Sequence, residues 1–357
     1  MITQKLLATP TKQKPFTKVT ADPVFKSKSS FQLESGAVLP EIHLAYKTFG
    51  TLNAAKDNVI WVFHALTANA NPLEWWSGLI GNDKLFNPQD HFIVCVNIPG
   101  SSYGSISPLS INPLQSKPYY HDFPIITPRD MVRMYKLLQQ YLGIQKIKIG
   151  IGGSMGGMQL LEWSIEQPNL FENIVLIATN AVHSPWGIAF NETQRMAIEN
   201  DATWLQKNDK AGMQGLSTAR AIALLSYRNY NPYKSTQSEE DQDKIHDFKA
   251  SSYQKYQGYK LTQRFNAFSY HSLTKSMDSH NVGRGRGSVS KALKRITANT
   301  VVIGIESDLL FPIEEQKLLA SEIKDARFEK IDSIYGHDGF LIEYEQLQKI
   351  ISKNILF

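Results

Sequence analysis

The sequence predicts an α/β protein, with a mostly parallel central sheet flanked by helices and an inserted helical segment. Three observations carry this reading. From Phe31 to about residue 185, short apolar runs alternate with runs of helical spacing, the signature of right-handed βαβ crossovers. Between about Trp186 and Lys294 that rhythm stops, and it resumes at Thr300. Where the first part is densest in glycine, a tight turn around Ser154 joins an apolar run directly to a helical one.

Residues 1–30 mix Thr, Lys and Pro without periodicity and read as a flexible or edge-lying lead-in. Ile42–Phe49 alternates as a half-buried strand does, and Val59–Phe63 is a continuous apolar strand ending at His64. Phe92–Asn97 is a further strand. A helix is expected from Thr127-Pro128-Arg129-Asp130, because Thr127 can cap and Pro128 suits the first turn. Its apolar side carries Met131, Val132, Tyr135, Leu137 and Leu138. Then come a strand over 146–151, a helix ending near Pro168, and strands at Ile174–Ala178, Thr300–Ile305 and Phe328–Ile331. The interruption shows helical patterns at Glu192–Lys207, Ser217–Tyr227, Ser238–Tyr256 and Leu261–Met277. It reads as a lid of residues 186–294 over the carboxyl edge of a core formed by 31–185 and 295–357.

Bulk properties narrow the function. The 357 residues exceed the usual single-domain size, and 42% hydrophobic content supports a large core. A net charge of +5 is a weak bias, concentrated in the first 30 residues and at Arg284 and Arg286. No basic stripe interleaved with aromatics points to nucleic acid. No apolar stretch of about 18 residues would span a membrane, and the N-terminus lacks the apolar core of a secretory signal. The single cysteine, Cys95, sits in the apolar run Phe92–Val96, forms no disulfide within the chain, and fits a reducing, cytoplasmic setting. No His/Cys/Asp spacing suggests a metal site.

The turn Gly152-Gly153-Ser154-Met155-Gly156-Gly157 contains G-x-S-x-G between strand and helix, the nucleophile elbow of an α/β-hydrolase fold. Gly152, Gly156 and Gly157 answer the need for neighbours without side chains. A serine needs a base, and the base needs an acid to hold its tautomer; in this fold they follow in the order Ser, acid, His. Asp308, just past strand 300–305, is the chosen acid, with Glu306 as its alternative. His337, between glycines in a late loop, is the chosen base, and His183 is its rival. The oxyanion donors expected are the Met155 N–H, next after the nucleophile, and the Leu66 N–H in the loop His64-Ala65-Leu66-Thr67. His64 reads as a loop-shaping residue.

At this point the chain resembles the homoserine O-acetyltransferase family, acyl-CoA-dependent enzymes of methionine biosynthesis. The likeness rests on Leu44–Asn53, His64–Thr67, Trp75-Trp76 with Gly78–Gly81, Ser110–Pro113, Gly152–Gln159, Trp186–Glu192, Tyr253–Gly258, Ser307–Pro312 and Tyr335–Phe340, and runs from about residue 31 to the C-terminus. It implies Ser154, Asp308 and His337 as triad, Arg220 on the substrate carboxylate and Asp338 as the acidic residue that binds substrate; on chemical grounds Asp338 suits the ammonium and Tyr227 can add a hydrogen bond. A zwitterionic acceptor does need one cation and one anion. The resemblance also implies acetyl-CoA as co-substrate with no permanently bound cofactor, L-homoserine as acceptor, Trp75-Trp76 near the entrance, and a homodimer through the lid. Relatives using succinyl-CoA or serine, a plain esterase, and a non-catalytic binding module are the competing classes. Three positions depart from the family pattern: Asn266 and Phe268 in Arg264-Phe265-Asn266-Ala267-Phe268, where Arg-Phe-Asp-Ala-Asn is usual, and Ser102 where a cysteine precedes Tyr-Gly.

Overall fold

Eight strands form one sheet in the computed structural model, which describes residues 23–355. They are β1 Val24–Ser27, β2 Ile42–Phe49, β3 Val59–Phe63, β4 Phe92–Val96, β5 Ile147–Gly153, β6 Phe171–Ile177, β7 Asn299–Ile305 and β8 Arg327–Ile331. Their order across the sheet is β1-β2-β4-β3-β5-β6-β7-β8. β2 runs antiparallel to both neighbours, and the remaining pairs are parallel. Of the expected lead-in, residues 1–22 lie outside the described residues, and β1 supplies the edge strand.

The inner parallel strands β3, β5 and β7 are buried on both faces because helices cover both. Along β3, Val59, Trp61 and Phe63 join one apolar cluster while Ile60 and Val62 join the other, the two-residue alternation of a strand. Helix α1 (Pro128–Tyr141) begins as expected: Thr127 and Asp130 form a reciprocal capping box. Met131, Val132, Tyr135 and Leu138 are buried, and Leu137 packs at the cluster's margin. Helix α2 (Met155–Glu166) follows β5 directly.

The inserted segment lies between β6 and β7 and contains α3 (Pro185–Glu199), α4 (Met213–Tyr227), α5 (Tyr230–Gln237), α6 (Lys249–Thr262) and α7 (Ala267–Asp278). Its two ends meet: Val182 bridges Asn281, and the Val282 N–H donates to the Ala181 carbonyl at 3.0 Å. α3 and α4 begin earlier than expected, at Pro185 and Met213, and three further differences have a local reason. α3 stops at Glu199 because the Asp201 carboxylate captures the Thr203 and Gly215 N–H groups. No helix spans 238–248, where Asp243 bonds back to Asp241 and Asp247 takes a left-handed φ of 57°. The expected helix 261–277 is two helices, broken at 263–266, with Asn266 capping α7 through the Ser269 N–H. After the insertion, α8 (Ile313–Glu322) and α9 (Tyr344–Asn354) flank the last strands.

The charges at Arg284 and Arg286 are structural. Glu34 accepts from Arg129 (2.7 Å), Thr127 (2.8 Å) and both Arg284 Nε and Nη2 (2.9 and 2.8 Å), while Arg286 donates to buried Glu162 at 2.7 Å. This network ties the N-terminal turn, α1, α2 and the end of the insertion together. Burial alone would raise the Glu34 pKa, but Arg284, Thr127 and Arg129 outweigh it and bring it to about 2. A depressed folded-state pKa means stability present above the unfolded value of 4.5 and lost as pH falls toward 2. Glu34→Gln is therefore expected to destabilise by about 2 kcal/mol at pH 7, less than a fully buried pair because Glu34 is partly solvated. Urea denaturation at pH 7 measures this, and an unchanged midpoint would show the network to be inert.

Candidate active site

Ser154 sits at the carboxyl end of β5 with φ 55° and ψ −128°, a conformation a side-chain-bearing residue holds only when its surroundings impose it. Three bonds do so. The Ser154 N–H donates to the Ile177 carbonyl at 3.0 Å, and the Ser154 carbonyl accepts from Thr179 Oγ1 at 2.9 Å and the Met158 N–H at 3.2 Å. Two glycines make room. A Cβ at Gly152 would lie 2.6 Å from the Gly156 carbonyl carbon, and one at Gly156 would lie 2.2 Å from the Phe63 carbonyl oxygen. The N-terminus of α2 thus packs on the end of β3. Met155 is the first residue of α2, so its N–H has no partner within the helix and lies at the positive end of the helix dipole.

The loop after β3 is held by His64. Its Nε2 accepts the Ile98 N–H at 3.0 Å, so the proton resides on Nδ1, which donates to the Ala65 carbonyl at 2.8 Å. Ala68 N–H reaches the same carbonyl at 3.1 Å. The Ala65–Leu66 peptide is planar and trans, so fixing its C=O fixes the Leu66 N–H in the opposite direction. Burial lowers the His64 pKa to about 4. The imidazole is a neutral brace, as a loop-shaping residue should be.

Asp308, in the loop after β7, accepts from the Leu310 and Phe311 N–H groups through Oδ1 at 2.8 and 2.9 Å. Its Oδ2 lies 2.6 Å from His337 Nδ1. A carboxylate so loaded accepts a hydrogen bond from Nδ1–H, which keeps its proton and leaves Nε2 as the free lone pair. The His337 ring stacks on Phe311 at 5.0 Å and 18°, and lies 5.4 Å from Phe340 and 5.9 Å from Tyr227. Phe340 links it to the elbow, for a Cβ on Gly153 would stand 2.7 Å from that ring. Asp308 and His337 are thus in direct contact, and Phe340 spans from His337 to the residue preceding Ser154.

The rivals fall elsewhere. Glu306 is exposed and pairs with Lys330 at 2.6 Å. His183 is 2% exposed, its Nε2 accepts from Asn191 at 3.1 Å, and burial with neighbouring His280 lowers its pKa to about 3. It braces the base of the insertion.

Around His337 the insertion supplies charge. The Arg220 guanidinium lies 5.3 Å from the centre of the Tyr227 ring, and burial raises the Tyr227 pKa. Asp338 is not free: its Oδ2 accepts from Arg228 Nε at 3.1 Å. Arg228 was not marked by the sequence, since it merely ends α4 at no telling spacing. Gly336, with φ 62°, lets this end of α4 approach, because a Cβ there would meet the Tyr227 carbonyl at 3.0 Å. Trp76, expected near an entrance, is instead fully buried and donates from Nε1 to the Phe340 carbonyl at 3.0 Å. It packs in one apolar cluster with Leu79, Phe86 and Phe340.

Among the described residues no group of three or more His, Cys, Asp or Glu side chains is arranged to hold a metal, and no helix is long and apolar enough to cross a membrane. The α/β hydrolase fold family matches residues 58–344. A homoserine O-acetyltransferase of Cyclobacterium marinum is 53% identical over 328 residues, 92% of this chain and 93% of that protein. The crystal structure of homoserine O-acetyltransferase from Staphylococcus aureus superposes with a TM-score of 0.77 at 29% identity, covering 94% of this chain and 96% of that one. Esterase E22 shares the fold, with a TM-score of 0.83 at 22% identity over 93% and 98% of the two chains.

The buried histidines give a pH signature. His64 and His183 have folded-state values of about 4 and about 3, below the ordinary 6.5. The unfolded chain therefore binds protons first, and their contribution is complete above pH 6.5 and lost as pH falls through 4. The urea midpoint is expected to drop between pH 7 and pH 5, with a shallower drop in His183→Asn. A slope unaffected by that substitution would contradict the buried, neutral state of His183.

Proposed function

The chain belongs to the homoserine O-acetyltransferase family of the α/β-hydrolase fold, and we propose that it moves acetyl from acetyl-CoA to the hydroxyl of L-homoserine through an acyl-serine. The observation that carries this reading is the Asp308–His337 pair at 2.6 Å, with Tyr227 against the same imidazole, the Arg220 guanidinium over the Tyr227 ring, and Asp338 next in sequence. A hydrolase needs the first part of that arrangement. Only an acceptor bearing both a carboxylate and an ammonium needs a cation and an anion beside the base.

In the first half-reaction, His337 Nε2 takes the Ser154 proton as Oγ attacks the thioester carbonyl. The Leu66 and Met155 N–H groups receive the oxyanion. The carbon–sulfur bond breaks, and His337 returns the proton to the departing CoA thiol. In the second, His337 deprotonates the homoserine hydroxyl, which attacks the acyl-serine, and the proton ends on Ser154. Arg220 holds the substrate carboxylate, Tyr227 adds a hydrogen bond, and Asp338 faces the ammonium through the oxygen that Arg228 does not use. The inserted segment acts as a lid that limits water, so transfer outruns hydrolysis.

Two wider features fit this role. Leu225, Ile245, Tyr256 and Tyr259 of the insertion are exposed apolar side chains, the surface expected of a homodimer through the lid. Cys95 is buried, and burial raises its thiol pKa, consistent with an inert thiol in a cytoplasmic enzyme. The competing reading is an esterase, supported by fold likeness alone.

Purified protein given acetyl-CoA and homoserine should release CoA thiol and form O-acetylhomoserine in equal amounts. CoA release without acylated amino acid would establish a hydrolase instead, and preference for succinyl-CoA or serine would reassign the substrates. Ser154→Ala is expected to lower kcat by about 10³-fold or more, and retained activity would reject Ser154 as nucleophile. Arg220→Ala should raise the homoserine KM by about 10-fold or more while sparing acyl-enzyme formation, as loss of a charged hydrogen bond would. Loss of acyl-enzyme formation would remove Arg220 from the acceptor site.

A further inference from the structure

Two of the three departures from the family pattern, Asn266 and Ser102, touch each other. The Asn266 backbone N–H and its side-chain Nδ2 both donate to Ser102 Oγ, at 3.1 and 2.9 Å. Asn266 Oδ1 is occupied by the Ser269 N–H at 2.8 Å, which fixes the amide's orientation and aims Nδ2 at the serine. An aspartate at 266 has no side-chain donor, and a cysteine thiol at 102 is a weak acceptor. Asparagine and serine together make a bond that the usual pair lacks.

This bond fastens the break between α6 and α7 onto the core. Beside it, Phe265 is buried with its ring 5.7 Å from Tyr103, edge to face. Next in line, Arg264 Nη1 donates to the Thr67 carbonyl and to the Tyr103 hydroxyl, and that hydroxyl donates to the same carbonyl at 3.4 Å. Thr67 directly follows Leu66. The loop bearing the Leu66 N–H is therefore held from two sides, by buried His64 through the Ala65 carbonyl and by Arg264 through the Thr67 carbonyl.

We propose that Arg264 is a positioning residue for the oxyanion loop, aimed by the Asn266–Ser102 bond, so that docking of the inserted segment sets the Leu66 donor. The inference rests on the role given to Leu66 above. An oxyanion donor is effective only when held at the correct place before charge develops, and a small displacement of it is costly. Water or thermal motion would otherwise compete for the Thr67 carbonyl at this solvent-exposed edge.

The test uses p-nitrophenyl acetate, which needs neither CoA nor homoserine. Ser154 Oγ bonds to the acetyl carbon, the aryl ester bond breaks, p-nitrophenolate leaves, and His337 takes the serine proton. Arg264→Ala is expected to slow the acylation burst about 10-fold, with KM, melting temperature and the pH midpoint of the rate unchanged. Arg264→Lys should recover part of the rate, since an ammonium can still donate to the carbonyl. Ser102→Ala should slow the burst by less, and should add nothing in the Arg264→Ala background. An unchanged burst in Arg264→Ala, or a loss that tracks a fall in melting temperature, would overturn the proposal. So would an effect confined to the KM for acetyl-CoA, which would assign the guanidinium to the donor's phosphates. Failure of the acetyltransferase reading would show separately, as wild-type protein that bursts with the aryl ester but forms no O-acetylhomoserine.

Discussion

The backbone at Ser154 is the constraint to which the rest of the fold is fitted. A serine at φ 55° and ψ −128° carries strain of about 1–3 kcal/mol, and nothing local relieves it. The strain is sustained by β6, whose Ile177 carbonyl holds the Ser154 N–H, and by Thr179 just beyond. It is sustained equally by absence of side chains: Gly152 and Gly156 let α2 settle on the end of β3. That one contact sets the Met155 N–H and the Leu66 loop at the same corner. The buried apolar strands β3, β5 and β6 supply the rigidity that a strained turn requires.

Environment, more than residue type, separates the histidines. His64, His183 and His280 are buried among acceptors and donors that suit a neutral ring, and burial lowers each pKa to about 4 or below. Only His337, of these four, has a carboxylate in direct hydrogen-bond contact, and that carboxylate is itself held by two backbone N–H groups. The same logic sorts the acids. Glu306 spends its charge on an exposed lysine, whereas Asp308 lies dry beneath the imidazole. Arg228 at the end of α4 is likewise paired, with Asp338 at 3.1 Å, before any substrate arrives.

How far the sequence alone could be read follows from how local each signal is. The strand–Ser–helix turn was legible because its glycines and apolar flanks are consecutive. The α1 start was legible because a capping box is a four-residue event. Asp308 and His337 could be ranked above Glu306 and His183 from position along the chain, but the choice became physical only with the 2.6 Å contact across 29 residues. Helix ends within the insertion were misplaced where single side chains, Asp201 and Asn266, captured backbone N–H groups. Trp76 was misread because an aromatic pair looks the same in a core and at an entrance. Arg228 and the Asn266–Ser102 bond stayed hidden because their partners lie 110 and 164 residues away.

The central claim is that Ser154 carries the acyl group between donor and acceptor. Rapid mixing with acetyl-CoA, acid quench and peptide mass spectrometry tests it directly. The expected result is an acetyl adduct confined to the peptide containing Ser154, persistent in water on the timescale of turnover and discharged at once by homoserine. An adduct on another residue, or none while O-acetylhomoserine still forms, would contradict the account.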